Sequence, residues 1–503
     1  MNAEWNSMSQ TAEYEVVVVG GGIAGSFAAA TAAAEGAEVV QLERKPRERG
    51  GYIACGDAMK SPEDPKKYPG PIDMGEICAD ESVLVDGEID QIEWWDHELD
   101  ERTVLPYADH SNVIDRYEFG QHLLDQVADL GADQHFNTVV QGVIQNGQVS
   151  GVEASRDGDP VTYEAEVVVD GAGAQSILQD MISFEELSAV EEVSFEQPHY
   201  THFGSAYREV VETEEPVEFS NAIVGKPLEQ LGYVWYFPRT PTRINVGLGF
   251  QMSQQPVPLA DRLGRDMNAE PALPDAQVAE RFGSPNKLGS SIALRRPLDS
   301  MVAPGYLAAG GAAATTHPIS GKGIRGAAIS GYSAGVHAAR AVHAGDTSEA
   351  SLWGHNHYQF VQHGEAGKLA SRDAYNIAAS SQSIDVLRAV AALLPQEEIK
   401  SIVGTKSKID GLGDLASVVI GAAKNFLGHY REGSFEHLGV SNRNLYEVFE
   451  GVWTARSYSN KYETHYEAYP ETRGGFSLWR DDRDQLDEAY YDSLELDTAD
   501  RKY

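Results

Sequence analysis

Residues 14–25 read Tyr14-Glu15-Val16-Val17-Val18-Val19-Gly20-Gly21-Gly22-Ile23-Ala24-Gly25. An apolar run that passes straight into Gly-x-Gly-x-x-Gly is typical of the strand and helix that bind a dinucleotide. In this motif Gly20 permits a tight turn, Gly22 lets the backbone approach a pyrophosphate, and Gly25 lets the helix pack closely on the strand. Backbone N–H groups at the positive end of the helix hold the phosphates. We therefore predict a nucleotide-cofactor site here.

The residues that follow strengthen this prediction. Residues 24–34 are almost all small and predict a helix, and residues 37–42 predict a second buried strand that ends at Glu43. Glu43 lies close to the spacing at which a carboxylate binds a ribose hydroxyl in such units. A glycine-rich strand exit alone is also compatible with an ordinary turn. The complete β-α-β pattern favours the dinucleotide interpretation.

Composition limits the kinds of partner. A chain of 503 residues is longer than one hydrophobic core usually serves, so we expect two or more packed regions. The 77 acidic residues exceed the 39 basic ones and give a net charge of −38, which argues against nucleic acid as a partner. Because the acidic excess is spread over nearly the whole chain, we expect a halophilic protein whose self-repulsion is screened by salt.

Cysteine usage and hydropathy indicate the compartment. The sequence has two cysteines, Cys55 and Cys78, and no signal-peptide pattern precedes the first strand. We therefore expect a cytoplasmic protein. The longest apolar stretches, such as residues 415–423, are far shorter than the roughly 20 residues of a spanning helix, so we expect no transmembrane segment. Two cysteines cannot hold a four-thiolate cluster, which argues against an iron–sulfur centre.

The pattern along the chain predicts several regions. Asp115 heads a helix with apolar residues at helical spacing, and residues 240–242 turn a hairpin of an antiparallel sheet. The apolar stretches 384–394 and 415–427 predict helices, and the tyrosine-rich residues 446–469 predict an aromatic core. The predicted boundaries are a flexible N-terminus at residues 1–13, a discontinuous nucleotide domain at 14–180 and 290–345, an antiparallel-sheet substrate domain at 181–289, a mainly helical region at 346–480 and an acidic tail at 481–503.

Four separated stretches, together with a fifth at residues 233–238, resemble the geranylgeranyl reductase family of flavoproteins. They are the glycine triplet with Glu43, the loop Ala54-Cys55-Gly56-Asp57-Ala58, the pair Asp115-Arg116, and Pro318-Ile319-Ser320-Gly321-Lys322-Gly323-Ile324. Most specific is Tyr233-Val234-Trp235-Tyr236-Phe237-Pro238, which looks like the family's Tyr-x-Trp-x-Phe-Pro signature. The resemblance implies an α/β fold with a Rossmann-like, hydroxylase-type FAD-binding domain.

The resemblance also implies FAD as the cofactor and assigns residues to it. Beside the glycines of the triplet, Ala24 and Glu43 would meet the adenosine half, and Cys55, Gly56 and Ala58 would lie beside the isoalloxazine. Arg116 and Val140 would flank the nucleotide, and Gly323 and Ile324 would present backbone to the pyrimidine edge of the ring.

One position departs from the family pattern. The family usually has Gly-Asp-Ala-Ala where this chain has Gly310-Gly311-Ala312-Ala313, so the carboxylate expected at Gly311 is missing. Loss of a charge-assisted hydrogen bond typically costs about 1.5–3 kcal/mol if nothing replaces it. The departure predicts weaker flavin binding or altered chemistry.

Three aromatic residues are the predicted substrate-binding wall. Tyr233, Trp235 and Phe237 alternate along a strand and so point to one face, where ring faces stabilise a cation without quenching it. Such a stripe is also typical of a core; the resemblance favours an isoprenoid channel. We take Cys55, Tyr233 and Trp235 as catalytic candidates, although a thiol of ordinary pKa near 8.5 is a weak acid. His317 is a further candidate proton donor.

The resemblance implies an FAD-dependent reductase that saturates geranylgeranyl chains of archaeal membrane ether lipids or their precursors. It implies an isoprenoid lipid substrate, a reduced electron donor such as ferredoxin or a reduced nicotinamide, and transient peripheral contact with the membrane, for which residues 412–427 are a weak candidate. Three alternatives stay open: a flavin-dependent monooxygenase, an electron-transfer flavoprotein, and a lipid-binding paralogue that has lost its flavin.

Overall fold

A computed structural model describes most of the chain and confirms the α/β class. The described residues are 10–84, 89–98, 100–106, 111–187, 203–229, 231–251, 258–281, 284–285, 288–380 and 442–496, with the single positions 382, 387 and 394. They form two large sheets and a helical C-terminal layer.

The elements are named in chain order. The strands are β1 Gln10–Val19, β2 Val39–Leu42, β3 Ala58–Lys60, β4 Gln91–Asp96, β5 Glu101–Pro106, β6 Ser111–Val113, β7 Asp133–His135, β8 Thr138–Gln145, β9 Val149–Arg156, β10 Asp159–Asp170, β11 Phe203–Glu212, β12 Ala222–Pro227, β13 Gly232–Thr240, β14 Arg243–Gln251, β15 Gln277–Val278, β16 Glu280–Arg281, β17 Ser284–Pro285, β18 Leu288–Ala293, β19 Val302–Ala303 and β20 Tyr306–Ala308. The helices are α1 Ile23–Ala34, α2 Met74–Ala79, α3 Arg116–Asp129, α4 Leu259–Ala269, α5 Ile324–Ala344, α6 Glu349–Leu352, α7 Gly354–His357, α8 Glu365–Ser380, α9 Asn442–Glu467 and α10 Phe476–Ser493.

The first sheet carries the nucleotide domain. Its order is β19-β20-β10-β1-β2-β7, and β1 runs parallel to both β2 and β10. Val16, Val17 and Val18 are fully buried at its centre, as their continuous apolar run predicts for a strand covered on both faces. β1 begins at Gln10, and residues 10–13 pair with β10. Those residues are therefore not the flexible terminus that we predicted.

Helices α1 and α5 pack against each other at close range. A Cβ added to Gly331 would lie 2.2 Å from the carbonyl oxygen of Ala24, and one added to Gly335 would lie 2.5 Å from that of Ala28. Because both contacts step four residues along each helix, the two helices run in the same direction. The small side chains at residues 24–34 are thus explained by close contact between the backbones of α1 and α5.

The second sheet lies beside the first domain. Its order is β15-β11-β14-β13-β12-β4-β5, with β18 also paired to β11. All its pairings are antiparallel except that of β12 with β4. One face buries Val234, Tyr236 and Leu248 with Leu263 of α4. Because β4 and β5 belong here, the substrate domain takes strands from within residues 14–180 as well as from 181–289.

The C-terminal layer is held by aromatic packing and buried ion pairs. Tyr466 of α9 and Trp479 of α10 pack with ring centroids 5.2 Å apart. Arg296 donates two hydrogen bonds of 2.9 Å to Asp487 of α10. Residues 481–493 are therefore part of a packed helix and not the solvated tail that we predicted. The predicted helices 384–394 and 415–427 lie outside the described residues, apart from two single positions in the first.

A helix suited to crossing a bilayer is not found in the described part of the chain, where every helix is too short or too polar.

Candidate cofactor and substrate site

The exit of β1 is built from main-chain contacts that exclude side chains. A Cβ at Gly25 would lie 1.9 Å from the carbonyl oxygen of Gly20, and one at Gly20, whose φ is +112°, would lie 2.4 Å from that of Gly171. Gly22 differs, because a Cβ there would meet no atom within 4 Å. The space in front of Gly22 adjoins the N-terminus of α1, where unpaired N–H groups favour an anion.

Glu43 is turned back over the glycine triplet. Its carboxylate accepts hydrogen bonds from the amides of Gly21 at 2.7 Å and Lys45 at 2.8 Å. Val140 lies on β8, two residues after Thr138, whose amide donates to the carbonyl of Glu43 at 2.9 Å. These contacts bring the two residues expected near a nucleotide to the same edge of the sheet as the glycines.

Packing explains the missing carboxylate at position 311. Gly311 lies in a helical turn at residues 310–313, against the loop that follows β10. A Cβ there would lie 2.6 Å from the amide nitrogen of Ala174 and 2.9 Å from the carbonyl carbon of Gly173. Since any side chain would collide with main chain, aspartate at this position is incompatible with the loop geometry of this protein.

The loop that holds Cys55 is fastened to the second sheet by a buried polar cluster. Asn245 donates to the carbonyl of Cys55 at 2.8 Å and to the carboxylate of Asp57 at 2.6 Å. Arg239 donates to Asp57 at 2.5 Å and to Asp115 at 3.2 Å. Asp57 is fully buried and has a φ of +68°, a conformation uncommon outside glycine. The cluster therefore fixes Cys55 relative to both domains.

Sequence reasoning missed the roles of Asp57, Arg239 and Asn245. Asp57 stands inside a loop singled out as a motif, whereas the other two lie on β13 and β14, far away in sequence. A buried charge with positive φ cannot be read from residue type. The pairing of Asp57 with Arg239 depends on how the two sheets meet, and no local pattern reports that.

The three predicted aromatic residues share one face of the second sheet, and that face is turned toward the cofactor loops. Trp235 donates from its indole nitrogen to Asn245 at 3.0 Å, and Tyr233 donates to the carbonyl of Ser320 at 3.2 Å. A Cβ on Gly56 would lie 2.7 Å from the ring of Phe237. The rings thus contact the Cys55 loop and the loop before α5.

Glycine residues on neighbouring strands make room for the indoles. Gly247 is directly opposite Trp235, and a Cβ there would lie 2.2 Å from its ring; Gly225 is opposite Trp94, and a Cβ there would lie 2.8 Å from that ring. Each tryptophan therefore lies flat across the strand beside it. The shape of this face therefore depends on pairs of a tryptophan and the glycine opposite it.

Three titratable side chains on this face and on the loops opposite it are partly exposed, yet burial of their surroundings shifts the pKa of each. Cys55 and Tyr233 are half-buried, and burial raises the pKa of the Cys55 thiol to about 11 and the pKa of Tyr233 to about 12. Lys322 is exposed, yet surrounding protein lowers its pKa to about 7, with Lys60 adding a smaller effect.

His317 does not suit the role of proton donor. Its Nδ1 accepts hydrogen bonds from the amides of Ile319 at 3.3 Å and Ser320 at 3.2 Å, so this nitrogen carries no proton. Burial lowers the pKa of His317 to about 3. The imidazole is therefore neutral at physiological pH and organises the loop.

The described residues fit a dinucleotide cofactor. Arg116 is fully buried at the start of α3, and none of its three guanidinium nitrogens has a hydrogen-bond partner in the described part of the chain. An uncompensated buried charge is costly, so a bound anion near Arg116 would relieve it. FAD needs a carboxylate, a helix N-terminus and a cation. Here they are Glu43, the open space at Gly22 and Arg116, with the Cys55 loop beside them.

Comparisons with known proteins agree with FAD as the cofactor. A family model for FAD dependent oxidoreductases matches residues 15–179. The chain is 27% identical over 370 residues to a digeranylgeranylglycerophospholipid reductase of Sulfolobus acidocaldarius, covering 72% of this chain and 76% of that protein. It is 28% identical over 346 residues to digeranylgeranylglycerophospholipid reductase 2 of Methanococcoides burtonii, covering 67% and 77%. The chain is therefore similar to the geranylgeranyl reductases over more than two thirds of its length. It is thus an FAD-dependent oxidoreductase.

Solved structures share the fold of this chain. A geranylgeranyl bacteriochlorophyll reductase-like protein from Thermoplasma acidophilum superimposes with a TM-score of 0.65 at 21% identity, over 85% of this chain and 100% of that one. A flavin-dependent brominase superimposes with a TM-score of 0.57 at 15% identity, over 84% and 100%. The hydroxylase-type architecture predicted from the sequence is therefore confirmed.

Proposed function

We propose that this chain saturates carbon–carbon double bonds of geranylgeranyl chains in membrane ether lipids or their precursors. The observation that carries the proposal is the aromatic face of β13, which contacts the Cys55 loop and the loop before α5. The curated relatives named above are reductases of a digeranylgeranyl lipid, which supports the same substrate class.

The reaction sets clear demands on the protein. An isolated trisubstituted alkene gains a hydride at one carbon and a proton at the other, and positive charge builds on the more substituted carbon. Bound reduced FAD supplies the hydride. Tyr233, Trp235 and Phe237 present ring faces that stabilise such a charge. Their spacing of 6.0 and 6.2 Å between neighbouring centroids gives a continuous wall.

Cys55 is the residue of the loop that we place beside the reacting atoms. Since burial raises its pKa to about 11, the thiol stays protonated at neutral pH and can donate a hydrogen bond or relay a proton. Asn245, through the Cys55 carbonyl, and Asp57 hold the loop in place. The raised pKa makes Cys55 a poor acid by itself, so we assign it a relay and packing role.

Two partners complete the proposal. A reduced electron donor, ferredoxin or a reduced nicotinamide, must recharge the flavin. Delivery of a lipid requires transient contact with a membrane, and the segment suggested for this, residues 412–427, lies outside the described residues.

The test is a single-turnover reaction without oxygen. Dithionite-reduced protein is incubated with a geranylgeranyl ether lipid, and mass spectrometry follows the gain of two hydrogens for each bond saturated. We expect saturation by wild type and a much lower yield with Trp235→Leu, which keeps the site apolar but removes the indole. Wild-type protein that holds FAD yet leaves the lipid unchanged would contradict the proposal. Oxygen-dependent hydroxylation of the lipid would favour a monooxygenase.

A further inference from the structure

Arg208 lies on the aromatic face of the second sheet, in one row with the substrate wall. Within this row, β11 pairs Arg208 with Gly247 of β14, and Gly247 pairs on its other side with Trp235 of β13. Residues directly opposite each other in an antiparallel sheet point to the same face. The guanidinium of Arg208 is therefore carried by the same surface as the indole of Trp235.

Arg208 is a buried cation that forms no ion pair with the described residues. It is fully buried, and Nε and both terminal nitrogens have no hydrogen-bond partner among the described residues. Its contact is with the ring of Tyr52, whose centroid lies 5.3 Å from Cζ. A cation over an aromatic face is worth about 0.5–2 kcal/mol, which does not replace the hydrogen bonds of a guanidinium.

Arg116, which lies on the first domain, is likewise a buried arginine whose guanidinium lacks hydrogen-bond partners among the described residues. All three of its guanidinium nitrogens also lack partners in the described structure, and burial together with the positive charge of Arg208 lowers the pKa of Arg116. The nearby carboxylate of Asp57 already accepts hydrogen bonds from Arg239 and Asn245. Among the described residues neither Arg116 nor Arg208 forms an ion pair. Two adjacent buried arginines in this state indicate a place kept for an anion from outside the chain.

We propose that Arg116 and Arg208 form one binding site for a phosphate oxyanion, closed from both domains. Guanidinium groups suit this ligand because each offers a planar fork of donors. Two sources share this chemistry: the diphosphate of FAD and, resting on the proposed function, the phosphate of the lipid substrate. Arg208 is in either case a positioning residue that ties the second sheet to the charged part of the ligand.

The experiment uses full-length protein and three variants, Arg208→Gln, Arg208→Lys and Arg295→Gln. Arg295 is the matched control, because it is also buried with an unpartnered Nε in the described chain but lies in the loop after β18. The first arm titrates flavin-free protein with FAD and with riboflavin, which has no phosphate. The second arm titrates flavin-loaded protein with a geranylgeranyl phospholipid and with the alcohol that lacks its phosphate.

Each source predicts its own result. If FAD is the source, Arg208→Gln weakens FAD binding by about tenfold or more and leaves riboflavin unchanged. If the lipid is the source, Arg208→Gln weakens binding of the phospholipid by a similar factor and leaves the alcohol unchanged. In both cases Arg208→Lys recovers part of the affinity, and Arg295→Gln leaves the affinity unchanged. The flavin-free Arg208→Gln protein melts no lower than wild type, because an unpaired charge has been removed.

Two results would overturn the proposal. Unchanged affinities for all four ligands would show that Arg208 only packs on Tyr52. A lower melting temperature of the flavin-free Arg208→Gln protein, with all affinities changed alike, would show a structural role. Neither result depends on turnover, so failure of the proposed reductase activity leaves the FAD arm intact, and failure of this proposal leaves lipid saturation by wild type unaffected.

Discussion

The glycine cradle at the end of β1 and the aromatic face of β13, which we propose line one site, are built by opposite means. In the cradle, main-chain atoms of Gly20, Gly25 and Gly171 meet at distances that exclude side chains. On the aromatic face, side chains such as Trp235 and Asn245 pair across strands and across domains. The comparison teaches that the proposed cofactor cradle is shaped by main-chain contacts, whereas the proposed substrate wall is held by specific pairs of side chains.

The strongest way to break the cradle is to add one methyl group at Gly25. Gly25→Ala places Cβ 1.9 Å from the carbonyl oxygen of Gly20, so main chain must move. We expect the free energy of unfolding to fall by about 4 kcal/mol or more and bound flavin to be lost. Chemical denaturation and flavin absorbance of the purified protein measure both.

Gly22→Ala sharpens this test as a matched control. A Cβ at Gly22 meets no protein atom within 4 Å and its φ is −83°, so the free energy of unfolding of the flavin-free protein should fall by no more than about 1 kcal/mol. FAD binding should nevertheless weaken strongly, because the methyl group occupies space proposed for the pyrophosphate. Unimpaired FAD binding by Gly22→Ala would mean that the cofactor lies elsewhere.

The junction of the two regions should respond next most strongly. Arg239→Gln removes the cation that pairs with Asp57 and Asp115 and leaves two buried carboxylates without it. Breaking a buried pair typically costs about 3–5 kcal/mol, and we expect a loss of about 3 kcal/mol in chemical denaturation. Arg47→Ala removes a partly exposed ion pair with Asp125 and should cost less than about 1 kcal/mol. Equal losses in the two variants would contradict the structural role of the buried cluster.

The aromatic side is tested at Cys55 with a smaller expected effect. Cys55→Ala should keep FAD and its melting temperature while lowering the rate of lipid saturation. In wild type, alkylation of Cys55 by iodoacetamide should rise with an apparent pKa near 11, because burial disfavours the thiolate. Peptide mapping separates it from Cys78, whose pKa burial raises to about 12. Rapid alkylation of Cys55 at pH 8, or an unchanged rate in Cys55→Ala, would remove it from the mechanism.

The weakest effect concerns the pH dependence of stability. The folded-state pKa of Lys322, about 7, lies below its ordinary value of 10.5, so between these values the unfolded chain binds more protons than the folded one. The contribution of Lys322 to the free energy of unfolding therefore rises from pH 7 toward pH 10.5. Flavin-free Lys322→Met should lack this rise when melting temperatures of the two proteins are compared across that range. Parallel curves for the two proteins would contradict the lowered pKa.

The sequence predicts the cradle better than the face for a physical reason. Gly20, Gly22, Gly25 and Glu43 lie within one β-α-β unit, where spacing along the chain sets spacing in the fold. Even the alternation of the three rings follows from strand geometry. Arg208 and Asn245 could not be assigned, because their partners come from loops 156 and 190 residues away in sequence.

Other differences come from packing that composition hides. Residues 481–493 are acidic and were predicted to be solvated, yet Arg296 and Arg483 bind Asp487 and Asp299 in the interior. A high content of acidic residues predicts an exposed segment only when the fold brings no basic partner to those residues. The departure at Gly311 likewise reflects a collision with the main chain of Gly173 and Ala174, which no motif comparison shows.

The tryptophan–glycine pairs constrain how this surface can change over evolution. A residue larger than glycine at position 247 or 225 is tolerated only if the indole opposite is lost in the same step, and loss of an indole first would leave a void. Single substitutions are thus unfavourable in both orders. Redesign for a bulkier lipid must therefore exchange Trp235 with Gly247, or Trp94 with Gly225, as units, and relatives with a different wall are expected to differ at both members of a pair.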